Sequence, residues 1–196
     1  MHIPSLQSCQ QAPENPRLMR RTIVPHNWEL PDEIVNRLGS AVGRQRAMFA
    51  QDHLLLLLHA APEPSQPERE VRLFWRNPAG QWKSNGHGAG VHVLMSHLQE
   101  YTQKVDALEL ALEKYRSSAD LFDILRAATP LQRASRHLHA TLQEARVMIG
   151  NDPVTIDARD SAVGLVRAIE LLYTETKNAL DFEIAVQNEE QSISAQ

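Results

Sequence analysis

A stripe of apolar residues, spaced alternately three and four apart, runs through the middle of the chain and constrains its fold more than any other feature. Such spacing places side chains on one face of an α-helix and is typical of a coiled-coil-like seam. Its members are Val91, Leu94, Leu98, Tyr101, Val105, Leu108, Leu112, Tyr115, Ala119 and Phe122. We expect one continuous helix over residues 91–128, about 57 Å long at about 1.5 Å per residue. A helix of this length must protrude from a small domain or pair along its length.

Helical spacing continues after this stripe. Thr129-Pro130 predicts a kink or a break, because proline lacks an N–H donor and crowds the preceding turn. Apolar positions then recur up to Gly150, where Gly-Asn-Asp-Pro is a strong helix stop. A last helix is predicted from about Thr155 to near the C-terminus, and the short connection lets it lie antiparallel to the preceding one. Its apolar face comprises Ala162, Leu165, Val166, Ile169, Leu172, Tyr173, Thr176, Ala179, Leu180 and Ile184.

The N-terminal half has a different pattern, in which short apolar runs are separated by turn residues, as is typical of strands. Asn77 to Gly80 predicts a tight antiparallel hairpin, and Asp52 marks a second turn. A short helix is predicted to begin at Pro31, with Asp32 in its first turn, and to stop at Gly39. The predicted strands cover residues 22–24, 44–49, 53–60, 71–76 and 81–84.

Together these patterns predict an α+β fold, with a small antiparallel β-sheet module followed by long antiparallel helices in a helical hairpin or three-helix stalk. We expect a disordered N-terminal tail over residues 1–20, a small α/β module over 21–89 and a long-helix bundle over 90–196. The tail is rich in Gln, Pro and Ser and has no long apolar core, so it is not expected to be a signal peptide.

Composition argues against several classes of function. Twenty Lys and Arg against 24 Asp and Glu give a net charge of -4, which disfavours nucleic-acid binding. Cys9 is the only cysteine, so an intramolecular disulfide is excluded and a reducing compartment fits best. The longest apolar run, Leu54 to Leu58, is far shorter than the roughly 20 residues of a membrane helix. We therefore expect a cytoplasmic chain that does not itself insert into a membrane.

The motif Asn85-Gly86-His87-Gly88-Ala89-Gly90 is the first candidate site, because a glycine-rich turn before a helix can hold phosphate on backbone N–H groups. It lacks the Lys and the Ser or Thr of a P-loop, and its context is not that of a dinucleotide site. The favoured interpretation is a joint between sheet and helix. The alternative is an enzyme with a phosphate-bearing substrate at Gly86 to Gly90.

Nine histidines suggest metal binding, but their spacing does not support it. His137 and His139 are two apart and point to nearly opposite faces of a helix, while His92 and His97 are separated by about 140°. Neither pair has the i, i+4 spacing of helical metal ligands, and no cysteine cluster completes a zinc site. Solvated or capping roles are therefore the favoured interpretation of the histidines.

The same interpretation applies to His53 and His59, at the ends of a predicted strand. No Gly-x-Ser-x-Gly elbow occurs, so no catalytic residue, cofactor-binding residue or metal ligand is assigned and no enzymatic activity is expected. Glu100 and Lys104, four apart, have the spacing of a pair on an exposed helix face. The aromatic residues flanking the hairpin turn are expected to meet across it and to serve packing; they are Trp75 and Trp82.

Three segments carry a resemblance to a known family. GRQRAMFAQDHLLLLLHA (43–60) resembles the Arg-rich strand, acidic turn and hydrophobic strand in the cytoplasmic module of CorA-like magnesium transporters. LFDILRAATPLQRASRHLHATLQEAR (121–146) and AIELLYTETKNALDFEIAVQNEEQ (168–191) are similar to the helical part of that family. The order of parts, a sheet module followed by long helices, is similar too.

This resemblance implies a last helix that continues into the membrane as a pore-lining segment, and divalent ions held between subunits by acidic side chains. Gly-Met-Asn, the family's pore signature, occurs nowhere in the sequence, and the resemblance assigns no ion ligand to any position.

The leading hypothesis is a soluble CorA-like cytoplasmic domain without a pore, either a membrane-less relative or a fragment of a transporter. It would form homo-oligomers through its helices and sense Mg²⁺ as the candidate ion. The main alternative is a helical interaction or scaffold protein with no metal role.

Overall fold

The computed structural model describes residues 23–38, 43–63 and 69–194. The predicted tail with Cys9 and the predicted helix stop at Gly39 lie outside these residues. Within them the chain forms, in order, α1 (Asp32–Arg37), β1 (Arg46–Ala50), β2 (His53–His59), β3 (Val71–Arg76), β4 (Trp82–Ser84), α2 (Gly90–Glu113), α3 (Ser118–Ile149) and α4 (Pro153–Ser194).

The strands form an antiparallel sheet in the order β1-β2-β3-β4. Gln51 (φ 49°) and Asp52 (φ 60°) are both left-handed, as the two central residues of a type I′ hairpin turn require. Between β3 and β4, the Gly80 N–H donates to the Asn77 carbonyl over 2.9 Å, and Gly80 has a φ of 80°. Both predicted hairpins are confirmed.

The sheet is the middle of three layers, because β2 is buried on both faces. Leu54, Leu56 and Leu58 belong to the core between the sheet and the helices α2, α3 and α4. Leu55 and Leu57 belong to a second core on the opposite face, which residues 23–38 cover. This explains the unbroken leucine run, since a strand buried on both faces has no polar side.

The outer layer corrects one predicted strand. Ile23 and Val24 lie in bends and not in a strand, while Thr22 lies outside the described residues. Pro25 follows them and cannot donate to a ladder. Both side chains instead pack against the outer core, beside Trp28.

The expectation that Trp75 and Trp82 meet is also wrong. Trp75 is opposite Lys83 in the ladder and Trp82 is opposite Arg76, so the two indoles project to opposite faces of the sheet. Trp75 packs in the outer core, 5.5 Å from Trp28 between ring centroids, whereas Trp82 packs in the core under the helices. Both rings serve packing.

The predicted continuous helix over 91–128 is wrong, because α2 ends at Glu113 and α3 begins at Ser118. The Ser117 side chain accepts from the Asp120 N–H over 3.3 Å, and the Asp120 carboxylate accepts from the Arg116 N–H over 3.0 Å. These are reciprocal bonds of an N-terminal cap. After the cap Leu121 is buried and Phe122 is exposed, so the apolar stripe changes phase.

A break at Thr129-Pro130 does not occur, because α3 is continuous across Pro130. The helix is held on both sides of the proline by Ala128, Leu131 and Ala134, which are buried in the main core. Proline has no N–H, so the carbonyl of Arg126, four residues earlier, has no intrahelical donor. The predicted stop at Gly150 is confirmed, with a φ of 74°.

The last helix, α4, lies along α3 and also contacts α2. Gln187 Nε2, late in α4, lies 3.5 Å from Ser118 Oγ at the start of α3, so the two helices are antiparallel. The main core includes side chains from the sheet and from α2, α3 and α4. The α+β prediction is confirmed. None of the described helices combines the length and apolarity needed to cross a membrane.

Candidate functional site

A polar cluster at the junction of the sheet with α2 is centred on Arg72 of β3. Its Nη1 donates to Glu100 Oε2 of α2 and lies 3.1 Å from His97 Nδ1. Its Nη2 donates to Glu70 Oε2 over 3.1 Å. Because arginine only donates, His97 Nδ1 is the acceptor and the imidazole proton resides on Nε2.

His97 corrects the interpretation of the histidines as solvated or capping residues, since it is buried between Phe74 and Tyr101. Burial, and next the positive charge of Arg72, lower the pKa of His97 to about 3. The imidazole is therefore neutral at pH 7. Its Nε2 has no hydrogen-bond partner among the described residues.

Tyr101 extends this cluster to the end of β2. Its hydroxyl donates to the His59 carbonyl over 2.9 Å, and burial raises the pKa of the phenol. Burial, and then the charge of Arg69, lower the pKa of the His59 imidazole. The His59 N–H donates to Gln45 Oε1 over 3.4 Å, and Gln45 Nε2 donates to a carbonyl of α3 over 3.3 Å. The bonds join β2, β3, α2 and α3.

The hydrogen bonds and ion pairs of this cluster are suited to holding the sheet against the helices and not to catalysis. His97, its only imidazole in contact with Arg72 among the described residues, is buried and neutral, and the Arg72 charge is neutralised by Glu70 and Glu100. The sequence pattern predicted a Glu100–Lys104 pairing. The structure instead pairs Glu100 with Arg72, and Lys104 with Glu63.

The other histidines are not brought together. His92 and His137 are exposed and His139 is half-buried. His53 lies on the outer face of the sheet, where its Nδ1 accepts from Trp75 Nε1 over 3.0 Å. Within the described residues no three His, Cys, Asp or Glu side chains are grouped so as to hold a metal ion.

The glycine-rich turn connects β4 to α2. A Cβ on Gly90 would lie 2.5 Å from the Trp82 carbonyl carbon and 2.6 Å from the Lys83 nitrogen, so only glycine fits at this crossing. A Cβ on Gly86 would lie 3.4 Å from the Val93 side chain. Close approach of the backbone thus explains Gly90 without a ligand.

Among the described residues, a row of exposed apolar side chains runs along α4. Leu171, Phe182 and Ile193 are 60%, 66% and 67% exposed and follow one another at intervals of eleven residues. Eleven residues are close to three helical turns, so the three side chains lie within about 40° of one line along the helix. We call them the α4 stripe. Sequence reasoning missed it because it followed the core-facing positions of the same helix.

Two carboxylates lie on the same face as the α4 stripe. At about 100° per residue, Glu189 falls on the line through Leu171, and Glu175 falls about 40° away. Between residues 177 and 194 no side chain is fully buried. Residues 174–194 contain five acidic residues and one lysine.

No protein-family model and no curated protein matches the chain. Solved structures do. The crystal structure of the ZntB cytoplasmic domain from Vibrio parahaemolyticus RIMD 2210633 matches 83% of this chain and 80% of that one, with a TM-score of 0.62 and 14% identity. The chain has the fold of that domain.

The structure of the full-length CmaX protein is also similar, over 90% of this chain and 67% of that one, with a TM-score of 0.53 and 15% identity. ZntB and CmaX are CorA-family members. The resemblance of the chain to the CorA-like family is thus confirmed at the level of the fold.

Proposed function

We propose that this chain acts in the cytoplasm, without enzymatic activity, as a CorA-like domain that forms homo-oligomers through α4. The observation that carries this proposal is the α4 stripe of Leu171, Phe182 and Ile193, which stays exposed in a single copy. A second copy presenting the same stripe is a matched partner, because a symmetric contact joins identical surfaces.

The energy of such a contact is modest. Burying one Leu, Ile or Phe side chain contributes roughly 1.5–3 kcal/mol. Three such side chains on each copy give a gain of the same order as the roughly 4–15 kcal/mol that association costs in lost freedom of motion. Association is therefore expected to depend on what happens to the charges beside the stripe.

Those charges motivate the ion-dependent part of the proposal. Glu175 and Glu189 lie among the stripe residues, so pairing of two copies brings like charges together, which opposes association. Mg²⁺ binds carboxylate oxygens while retaining several waters, and it would remove this repulsion. We therefore assign divalent-cation sensing to carboxylates contributed by two copies, because the described residues of a single copy hold no group of three such ligands.

Light scattering on the full chain, with and without millimolar Mg²⁺, tests the proposal. We expect an ion-dependent rise in mass, which Phe182→Glu abolishes. Val147→Glu is the matched control, because Val147 is 74% exposed on α3, outside the α4 stripe. Glu175→Gln combined with Glu189→Gln should allow association without Mg²⁺.

A monomer at every protein and Mg²⁺ concentration would overturn self-association. Association that is independent of Mg²⁺, in the wild type and the double variant alike, would support the homo-oligomer and overturn the proposal of ion sensing. A monomer that captures a helical segment of another protein on the α4 stripe, with unchanged stability in Mg²⁺, would favour the scaffold alternative.

A further inference from the structure

A cleft of about 850 Å³ opens between α2, α3 and three described residues at the two ends of the β2–β3 connection, Pro62, Glu63 and Arg69. This volume is within the range of about 300–1,000 Å³ typical of small-molecule sites. It is separate from the α4 stripe, since no α4 residue is among its described lining residues. Its charged lining residues are Glu63, Arg69, Lys104, Asp123, Arg126 and Arg133.

Positive charge predominates in this cleft, although the whole chain is acidic. Of the described charged lining residues, four are cationic and two are carboxylates. Glu63 is paired with Lys104, and Asp123 Oδ1 lies 3.1 Å from Arg126 Nη2. Among the described lining residues, these pairings leave the charges of Arg69 and Arg133 without a carboxylate partner. Such an excess attracts an anion, and guanidinium groups bind phosphate oxygens through paired N–H donors.

The cleft also has an apolar wall, formed by Leu108, Ala127, Pro130 and Leu131. An apolar wall beside cationic groups suits a ligand with an anionic end and a flat or apolar body.

We propose that this cleft binds a small phosphate-bearing molecule of nucleotide size. The phosphate lies between Arg69 and Arg133, and the body of the ligand lies against the wall beside Pro130. The site differs from the glycine-rich turn at Gly86 to Gly90, none of whose residues is among the described lining residues of the cleft.

Calorimetric titration of the full chain with ATP, AMP and inorganic phosphate, in EDTA and about 50 mM salt, tests the proposal. The chelator separates this binding from any effect of Mg²⁺ on association. We expect ATP to bind with a Kd below 1 mM, and Arg69→Glu and Arg133→Glu each to weaken binding at least tenfold. Arg136→Glu is the matched control, because Arg136 is exposed on the same helix and pairs with Glu170.

Binding that survives both cleft substitutions would overturn the location. Absence of heat and of any rise in Tm up to 5 mM nucleotide would overturn the site itself. Inorganic phosphate as effective as ATP would reduce the site to adventitious anion binding and overturn the role of the apolar wall. Arg133 is exposed, so its variant should remain folded; circular dichroism verifies this before titration.

Discussion

Arg76 of β3 and Asp152, in the connection between α3 and α4, form an ion pair in which Nε lies 3.2 Å from Oδ2. The pair joins residues 76 positions apart in sequence and is largely buried. Thr155 Oγ1 also contacts Asp152 Oδ1, over 3.4 Å. This one carboxylate thus anchors the α3–α4 turn to the sheet.

Asp152→Ala should lower the free energy of unfolding by roughly 3 kcal/mol, because it leaves Arg76 largely buried without its partner. Urea denaturation measures the loss. Asp160→Ala removes an exposed carboxylate paired with Arg159 and should change stability by less than about 0.5 kcal/mol. Equal effects of the two substitutions would contradict the anchoring role.

The second prediction concerns pH and His97. Its pKa falls from an ordinary 6.5 to about 3 in the folded state, so the unfolded chain binds the proton more readily. The stability contributed by neutral His97 is complete above pH 6.5 and is lost as pH falls toward about 3, at roughly 1.4 kcal/mol per pH unit.

His97→Gln should reduce that slope, because glutamine can still accept from Arg72 but does not titrate. Urea melts at pH 7.5, 6 and 5 measure it. His92→Gln, at an exposed position of the same helix, is the control and should preserve the slope. An unchanged slope in His97→Gln would show that other groups carry the acid sensitivity.

Two helical glycines, Gly90 at the start of α2 and Gly164 inside α4, are predicted to respond in opposite ways to substitution by alanine. Gly90→Ala should destabilise the fold by roughly 1–3 kcal/mol, because its Cβ would lie 2.5 Å from backbone that cannot move aside. Gly164→Ala, inside α4, meets no described atom within 4 Å and should stabilise by about 0.5–1 kcal/mol. Thermal melts of both variants measure the shifts; a Gly90→Ala variant with a Tm at or above that of the wild type would refute the account of Gly90.

The break between α2 and α3 supplies the fourth prediction. Ser117→Ala removes the acceptor for the Asp120 N–H and should cost about 1 kcal/mol. Ser117→Asp, which retains an acceptor, should restore most of that loss. Denaturant midpoints of the two variants measure the effect, and two equal losses would indicate that the hydroxyl does not cap α3.

Local patterns were sufficient for much of the fold. The strand at Val71–Arg76, the turn at Gln51-Asp52 and the helix stop at Gly150 each depend on residues within a few positions. The stop between α2 and α3 was also local, in the Ser117–Asp120 cap, but a nearly continuous apolar spacing concealed it. Phe122 was counted in the apolar stripe predicted over residues 91–122, although its neighbour Leu121 is the buried residue.

Long-range relationships could not be derived in this way. His97 is a polar residue, and the hydrogen bond that accompanies its burial comes from Arg72, on a strand 25 residues away in sequence. The opposite faces of Trp75 and Trp82 depend on the pairing of β3 with β4. The cleft between α2 and α3 likewise requires the packing of whole helices, and none of its charged residues forms a recognisable motif.

The five leucines of β2 have one further consequence. If this strand slid by one place along its neighbours, leucines would still occupy four of its five buried positions and His53 or His59 would enter the fifth, so hydrophobicity penalises the slip only weakly. Positional information must come from elsewhere: the left-handed pair Gln51-Asp52 and the unlike side chains across the ladder, such as Ala47 and Phe74. Among the described strands, the most buried one, β2, thus contributes least through its own side chains to fixing its register.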